Sequence, residues 1–504
     1  MTIPAFQDIP GNIRVPFVSI EFAPGGTPFQ EQQRHLVIGQ VDATASVTTG
    51  ETFQVRDGRE RGAELGRGML ADMCLAARRN AVLHEMHALP IAEPASGSKA
   101  VGKISVPAAD YPIAAPIQLP FYVGGRRYTI LADAGDDEDQ VAADIAAAIN
   151  ADPDRRATAT VNGSNANEVD VEARHKGELG NSIRLEKGLR GEPGTELAPL
   201  TFTQFSGGSG NPDIGSILDT LVDEQWDWIS MPYTDATNVG HMADFLREQW
   251  NYLAAEYGGA ISAKDADVSA LTTFGNNYKR NLYQSIVPAY RFETPPWVTT
   301  AALGAKCAKH LSSPPELSRP LQTITLLDDE GFLRGPRTTA DRFSKADRQT
   351  LYFDGISGLR YLGSEVQIER LTTMYQTNAW GDPDATYLDL NTLAQNQYGA
   401  RYFRQYVTNA YPRAALADDT EPFRPGFARP KDIRDALIHC YRELCNLGVF
   451  EDTPTFARDL LVERDPVDHN RVNASLPVDH VNQFRIFAVQ MVNYMQRERP
   501  GLAA

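Results

Sequence analysis

The stretch IPGNIRVPFVSIEF at residues 9–22, with QRHLVIGQ at residues 33–40 behind it, sets the reading of the whole chain. Val18-Ser19-Ile20-Glu21-Phe22 alternates apolar and polar side chains strictly, the period of a half-buried strand, whereas Ile13, Val15 and Phe17 alternate in the opposite phase. A bulge or kink near Pro16 reconciles the two, and a proline confines such a strand to a sheet edge. Upstream, Pro4, Pro10 and Gly11 among short polar residues make an irregular arm of residues 1–22. HLVIGQV, residues 35–41, is instead an unbroken apolar run closing on a glycine turn, the pattern of a buried strand. An irregular arm and an edge-strand pattern thus precede a buried strand.

Working outward, apolar residues between Leu65 and Met86 recur at helical spacing and predict a helix there. From about residue 93 the composition turns to short strand candidates, Gly, Asn and Asp, the texture of an inserted β-rich domain over 93–208. Its one clear helix is QVAADIAAAIN, residues 140–150, with the acids Asp136 to Asp139 suited to its N-terminus. FSGGSGNPD closes the insert as a flexible linker. Then helix and strand alternate: helices around 213–223, 238–256 and 298–311, strands at WDWISMP and near NLYQSIVPAY, and more strands near 350–375. Two strong helices follow, at about 389–408 and from Pro430 to Gly448. The second carries an apolar stripe through Ile433, Leu437, Cys440, Tyr441 and Leu444, with Lys431, Arg434 and Arg442 off it. VDHVNQFRIFAVQMVNYM, residues 478–495, fits a helix and a strand about equally.

Composition narrows the function. Sixty-five acidic against 48 basic residues give a formal charge of -17, which repels phosphate backbones and anionic membranes. The four scattered cysteines suggest neither a disulfide framework nor a metal site. The N-terminal residues lack a basic region followed by an apolar one, and no apolar run approaches spanning length, so the expectation is a soluble, unexported chain with no nucleic-acid partner and no membrane insertion.

Motifs for chemistry fail on inspection. FSGGSGN lacks the lysine of a phosphate loop, and GRGMLA at Gly66, Gly68 and Ala71 matches a dinucleotide pattern but follows a polar stretch where a strand is needed. His84 and His87 in HEMH stand three apart, where a zinc helix needs four, and read as partly exposed helix histidines. DAGDDEDQ lacks the alternating carboxylates of a calcium loop. No G-x-S-x-G elbow and no cysteine signature is present. No catalytic, cofactor or metal residue is assigned, and the weight moves from enzyme to interaction. A hydrolase with a dispersed site on the α/β domain is the alternative from another class.

IPGNIRVPFVSIEF followed by QRHLVIGQ resembles the opening of Mu-like contractile tail sheath proteins; ELGRGMLADMCLAARRN, residues 64–80, looks like that family's Gly-x-Gly helix, and VDHVNQFRIFAVQ resembles its closing strand. The resemblance implies an α/β multidomain fold in five parts. These are an N-terminal arm at 1–22, a subtilisin-like α/β middle domain at 23–92 plus 209–370, the β-rich insert at 93–208, an α+β tube-proximal domain at 371–480, and a C-terminal strand and arm at 481–504. It also tips residues 481–492 toward strand.

The implied function is structural: subunits stack as six-membered rings in a helical sheath around a tail tube protein, between baseplate and tail terminator proteins. Contraction then drives the tube through the host envelope. The implied place is the virion tail, after synthesis in the host bacterial cytoplasm. Strand exchange between subunits is expected at Val15, Val18, Ile20 and Phe22, and at Phe484, Ile486, Phe487, Val489 and Met491. Tube contact is expected at Lys431, Arg434 or Arg442. A sheath from a pyocin or type VI-like injection device is the nearest alternative.

Overall fold

A computed structural model describes residues 33–56, 64–82, 84–189, 192, 200–222 and 224–495. The first described strand, β1 (Arg34–Gln40), is the apolar run of the opening motif, and Leu36, Val37 and Ile38 are fully buried. After β2 (Phe53–Val55), α1 (Met69–Asn80) crosses back to β3 (Glu85–Ile91), which pairs with β1 in parallel. Beyond the insert the chain returns through α3 (Gly215–Leu218), β11 (Trp228–Ser230), α4 (Ala236–Gln249), β12 (Gly259–Lys264), α5 (Val268–Asn277), β13 (Gln284–Pro288) and α6 (Pro296–His310). The sheet runs β13-β12-β11-β1-β3-β2, parallel throughout except for β2 at the edge. Successive side chains of a strand face opposite ways, so Val37 packs with α1 and α6 while Leu36 and Ile38 pack with α3 and α4. Covered on both faces, the strands are apolar runs.

Chain order reverses between β1 and β11, the switch point at which open α/β sheets keep a ligand crevice. Here the carboxyl ends of those strands meet the insert: Gln40 Nε2 donates to Lys176 O at 3.0 Å, and Asn211 Nδ2 to Asp235 at 2.9 Å. The insert and its closing linker thus hydrogen-bond to groups at these strand ends.

The insert contains β4 (Lys99–Ser105), β5 (Ile117–Val123), β6 (Arg126–Ala132), α2 (Glu138–Ala151), β7 (Ala157–Val161), β8 (Glu168–Lys176), β9 (Leu185–Lys187) and β10 (Thr201–Ser206). They form a four-stranded sheet β10-β4-β8-β7 and a three-stranded sheet β6-β5-β9. Asp137 caps α2 by accepting from Gln140 N at 2.9 Å, and Val141, Ala142, Ile145 and Ile149 turn inward at helical spacing. The insert is fixed to the core by a buried charge cluster. Arg156 meets Asp72 of α1 at 3.1 Å and also Asp329, while Arg126 meets Asp329 at 2.7 Å. Burial alone would push the Arg156 guanidinium down, but the carboxylates of Asp329 and Asp72 more than reverse that and hold it above its ordinary value.

The remainder comprises α7 (Lys345–Phe353), the hairpin β14 (Gly358–Leu362) and β15 (Glu365–Arg370), α8 (Leu390–Ala410), a two-residue parallel pair β16 (Ala415–Leu416) and β17 (Phe427–Ala428), α9 (Pro430–Asn446), α10 (Thr453–Asp459) and the hairpin β18 (Leu461–Arg464) and β19 (Val472–Ser475).

Several expectations change. The helix expected to reach Met86 ends at Asn80; Met86 lies in β3 in register with His35, because pairing with β1 outranks helical periodicity, and His87 is therefore a strand residue. Part of the strand region near 350–375 is α7, which a Ser344/Asp347 capping box starts. β12 and α5 were not foreseen, the first being short and made of small residues. Residues 481–492, tipped toward strand, form none: a strand needs a partner ladder, and none of the described residues supplies one.

Candidate functional site

The α/β core contains what could be mistaken for an active site. His35 Nε2 lies 2.8 Å from Ser230 Oγ, and His35 Nδ1 lies 3.0 Å from His84 Nε2. Ser230 and His35 are both fully buried in adjacent strands, and α6 passes over them at Gly304, where an added Cβ would collide with Ser230 Oγ. No substrate reaches this serine. Burial, the neighbouring His84 and Arg78 hold His35 well below the usual histidine range, and burial takes His84 down to about 4. The pair is a neutral, satisfied element of the core. Among the described residues no group of three or more metal-ligating side chains gathers, and no helix is long and apolar enough to cross a membrane.

Exposed apolar side chains gather at the C-terminal end. The chain there is first clamped. Glu451 N donates to Asp479 O at 2.9 Å and Val481 N to Val449 O at 3.3 Å, around a single bridge between Phe450 and His480. Tyr441 Oη donates to Glu451 O at 2.6 Å and accepts from Asp479 N at 3.0 Å, while its ring stacks on Phe456 at 3.7 Å between centroids. Gln395 Nε2 of α8 holds Val481 O at 2.9 Å, and Asn396 takes His480 at 2.8 Å. Burial pushes that imidazole down. The last tether is Arg485, 3.0 Å from Asp389, which Arg370 also grips.

Beyond Arg485 the arm runs exposed. Residues 486–492 make no backbone hydrogen bond to the other described residues. Phe484, Ile486, Phe487, Val489, Met491, Val492, Tyr494 and Met495 are all exposed, Ile486 at 83%. In an extended segment Phe484, Ile486 and Val492 fall on one face and Phe487, Val489 and Met491 on the other. Both faces are apolar, so a strand made from this arm must be covered twice. The five C-terminal residues expected to exchange thus lie together on one unpaired segment. Val15, Val18, Ile20 and Phe22 lie outside the described residues.

Of the expected tube contacts, two are engaged within the chain. Lys431 Nζ donates to Asp419 O, and Arg434 donates to Ala457 O and Leu460 O. Arg442 stays exposed on α9.

Sequence reasoning missed the hairpin β18–β19. β18 lies on α9, and among the described residues neither strand takes a third partner. A two-stranded sheet is marginal alone. Its turn is rigid: Asp465 accepts from Val467 N and Asp468 N, each at 2.9 Å, and these bonds hold its carboxyl down at about 2. Alternation in RVNAS after the Asp-Pro turn was the available signal.

Comparison with known proteins gives a consistent result. A family model, the phage tail sheath C-terminal domain, matches residues 382–493, from the turn before α8 to the arm. The Mu-like prophage FluMu tail sheath protein of Haemophilus influenzae is 32% identical over 493 residues, covering 96% of this chain and 98% of the relative. Among solved structures, the sheath tail protein of Desulfitobacterium hafniense aligns with a TM-score of 0.48 at 12% identity, over 92% of this chain and 97% of that one. A chain of the anti-feeding prophage baseplate in its contracted state aligns at 0.49 and 11% identity, over 96% and 100%.

Proposed function

The chain belongs to the Mu-like tail sheath family, a structural subunit of a contractile tail, and from that premise we propose that it polymerises by lending its C-terminal arm to the sheet of a neighbouring copy. The observation that carries this is the arm itself, clamped up to Arg485 and then presenting two exposed apolar faces, with no backbone hydrogen bond from residues 486–492 to the other described residues. Adding such a strand to an open edge is β-augmentation, and the hairpin β18–β19 offers open edges over α9. Each net hydrogen bond contributes about 0.5–1.5 kcal/mol, and buried phenylalanine and valine side chains add about 1.5–3 kcal/mol each, so one arm holds firmly and a mesh of arms holds a tube. The N-terminal residues Val15, Val18, Ile20 and Phe22 supply a second strand of the same kind. A paired arm stays attached while the bodies it joins slide and rotate, so an extended sheath shortens without coming apart.

The finer architecture follows from the family. The five-part division given above, with a subtilisin-like middle domain and a tube-proximal domain from residue 371, fits the six-stranded parallel sheet and the helices α8 and α9. Partners are further copies in six-membered rings, the tail tube, and the baseplate and terminator proteins. The place is the virion tail, assembled in the host cytoplasm. Exposed Arg442 is the best-placed tube contact of the three basic residues on α9. No catalytic activity is indicated, and the sealed Ser230–His35 pair supports that reading. A pyocin-like device would use the same arm.

The test is electron microscopy of the purified full chain beside a variant lacking residues 486–495. The full chain is expected to form tubules and the truncated one to remain a folded subunit with unchanged melting. Ordered tubules from the truncated chain would overturn the arm's role. Deleting residues 1–22 is expected to act alike.

A further inference from the structure

Independent of the assembly reading, a cavity of about 20 Å³ lies between the insert and the core, at the N-terminus of α1. Its walls include the first turn of α1, Arg155 and Arg156 of the insert, the end of β8, and Trp297 of α6. A volume near one water-sized sphere admits a single small particle.

The wall is short of acceptors. Trp297 is 4% exposed, and its indole Nε1–H has no hydrogen-bond partner. Arg155 Nε–H, shielded from solvent, has none either, although Arg155 Nη1 donates to Asn150 O and Asp152 O. At the helix end, His175 Nε2 takes Met69 N–H at 3.0 Å. The one acid in the wall, Asp72, already receives Arg156 at 3.1 Å and Arg126 at 3.6 Å.

The unpaired buried side-chain groups of this wall, Trp297 Nε1 and Arg155 Nε, are therefore both donors. A water molecule would accept from them too, but it has no charge with which to answer the guanidinium groups of the wall. A small anion accepts from all and donates nothing, and the positive end of α1 together with the guanidinium groups favours negative charge. We propose that the cavity binds one chloride-sized monovalent anion, held by Trp297 Nε1 and Arg155 Nε beside the N-terminal end of α1. Sulfate and phosphate are too large for it. Because the donors come from both the insert and the core, the anion ties one to the other.

Crystals of the full chain grown in sodium bromide test this. An anomalous peak within hydrogen-bonding distance of Trp297 Nε1 is expected; a water without anomalous signal, or an empty cavity, overturns the site. A solution measurement checks the donors. Thermal unfolding is followed while bromide replaces gluconate at constant ionic strength, and bromide is expected to stabilise. Trp297→Phe keeps the ring and removes the donor, and is expected to raise the bromide midpoint about tenfold, the loss of one charge-assisted hydrogen bond. The same midpoint in variant and parent would overturn the assignment. Arg155→Met gives the same readout should Trp297→Phe fail to fold.

Discussion

The junction of the insert with the α/β core and the C-terminal arm are opposites. At the junction, Arg126, Arg156, Asp72 and Asp329 are buried and answered by one another. Along the arm, apolar side chains stand in water and a backbone ladder has no second strand. The difference teaches where this chain is finished and where it waits for another. A body that must transmit force needs joints that do not open, and a body that must polymerise needs at least one edge left incomplete.

The comparison breaks first if the junction proves dispensable. Asp329→Ala leaves Arg156 and Arg126 with Asp72 as their remaining shared carboxylate. Removing one partner of a buried ion cluster is expected to destabilise the subunit by about 3–5 kcal/mol, read as a fall in urea midpoint. A loss below about 1 kcal/mol, the scale of an exposed pair, would mean the junction is not the rigid element described here.

Acid sharpens the same contrast, because the finished core contains histidines held neutral. His35 and His84 have folded pKa values below the unfolded value of about 6.5. The unfolded chain therefore binds more protons below that pH, and their contribution to stability is lost as pH falls. The loss begins near pH 6.5 and continues toward about 4, where His84 protonates in the folded chain. Each histidine contributes a slope approaching about 1.4 kcal/mol per pH unit in that window. Urea unfolding from pH 7.5 to 4.5 checks this, and His84→Gln is expected to flatten the curve.

A third measurement falls on the boundary between the two regions. Tyr441 Oη bonds Glu451 O and Asp479 N at the root of the arm. Tyr441→Phe keeps the ring stack on Phe456 and is expected to destabilise by about 1 kcal/mol or a little more. Faster amide exchange at residues 479–481, with the α/β sheet unchanged, is the accompanying sign.

The two regions were also unequally legible in the sequence. β1, α2, α6, α8 and α9 could be read directly, since an unbroken apolar run, an acidic cap or a long amphipathic stripe reports on local burial. The helix read through to Met86 failed because β3 owes its state to pairing with β1, which sets Met86 opposite His35, a partner distant in sequence. The junction cluster was invisible: Asp72, Arg126, Arg156 and Asp329 are scattered charges until the fold gathers them. The arm was half legible. Its apolar residues 484–491 were identified, but their state is set by a neighbour's edge and by nothing in the chain's own pattern. The hairpin β18–β19 went unread despite its alternation, being short and half-exposed.

The smallest expected effect on the subunit is the most discriminating. Val489 is 64% exposed, on a stretch with no backbone hydrogen bond to the other described residues. Val489→Asp should therefore change the folding free energy by no more than about 0.5 kcal/mol, as surface substitutions do. In an exchanged sheet the same carboxylate would lie on a covered face, where an unpaired charge costs several kcal/mol, repeated in every subunit of the tube. Unchanged melting with tubules lost on micrographs is the expected pair of results. If melting falls as far as in Asp329→Ala, the arm belongs to the finished part of the molecule and the contrast collapses. If tubules persist, the face bearing Val489 is not covered, and the double coverage inferred from Phe487 and Met491 beside it is wrong.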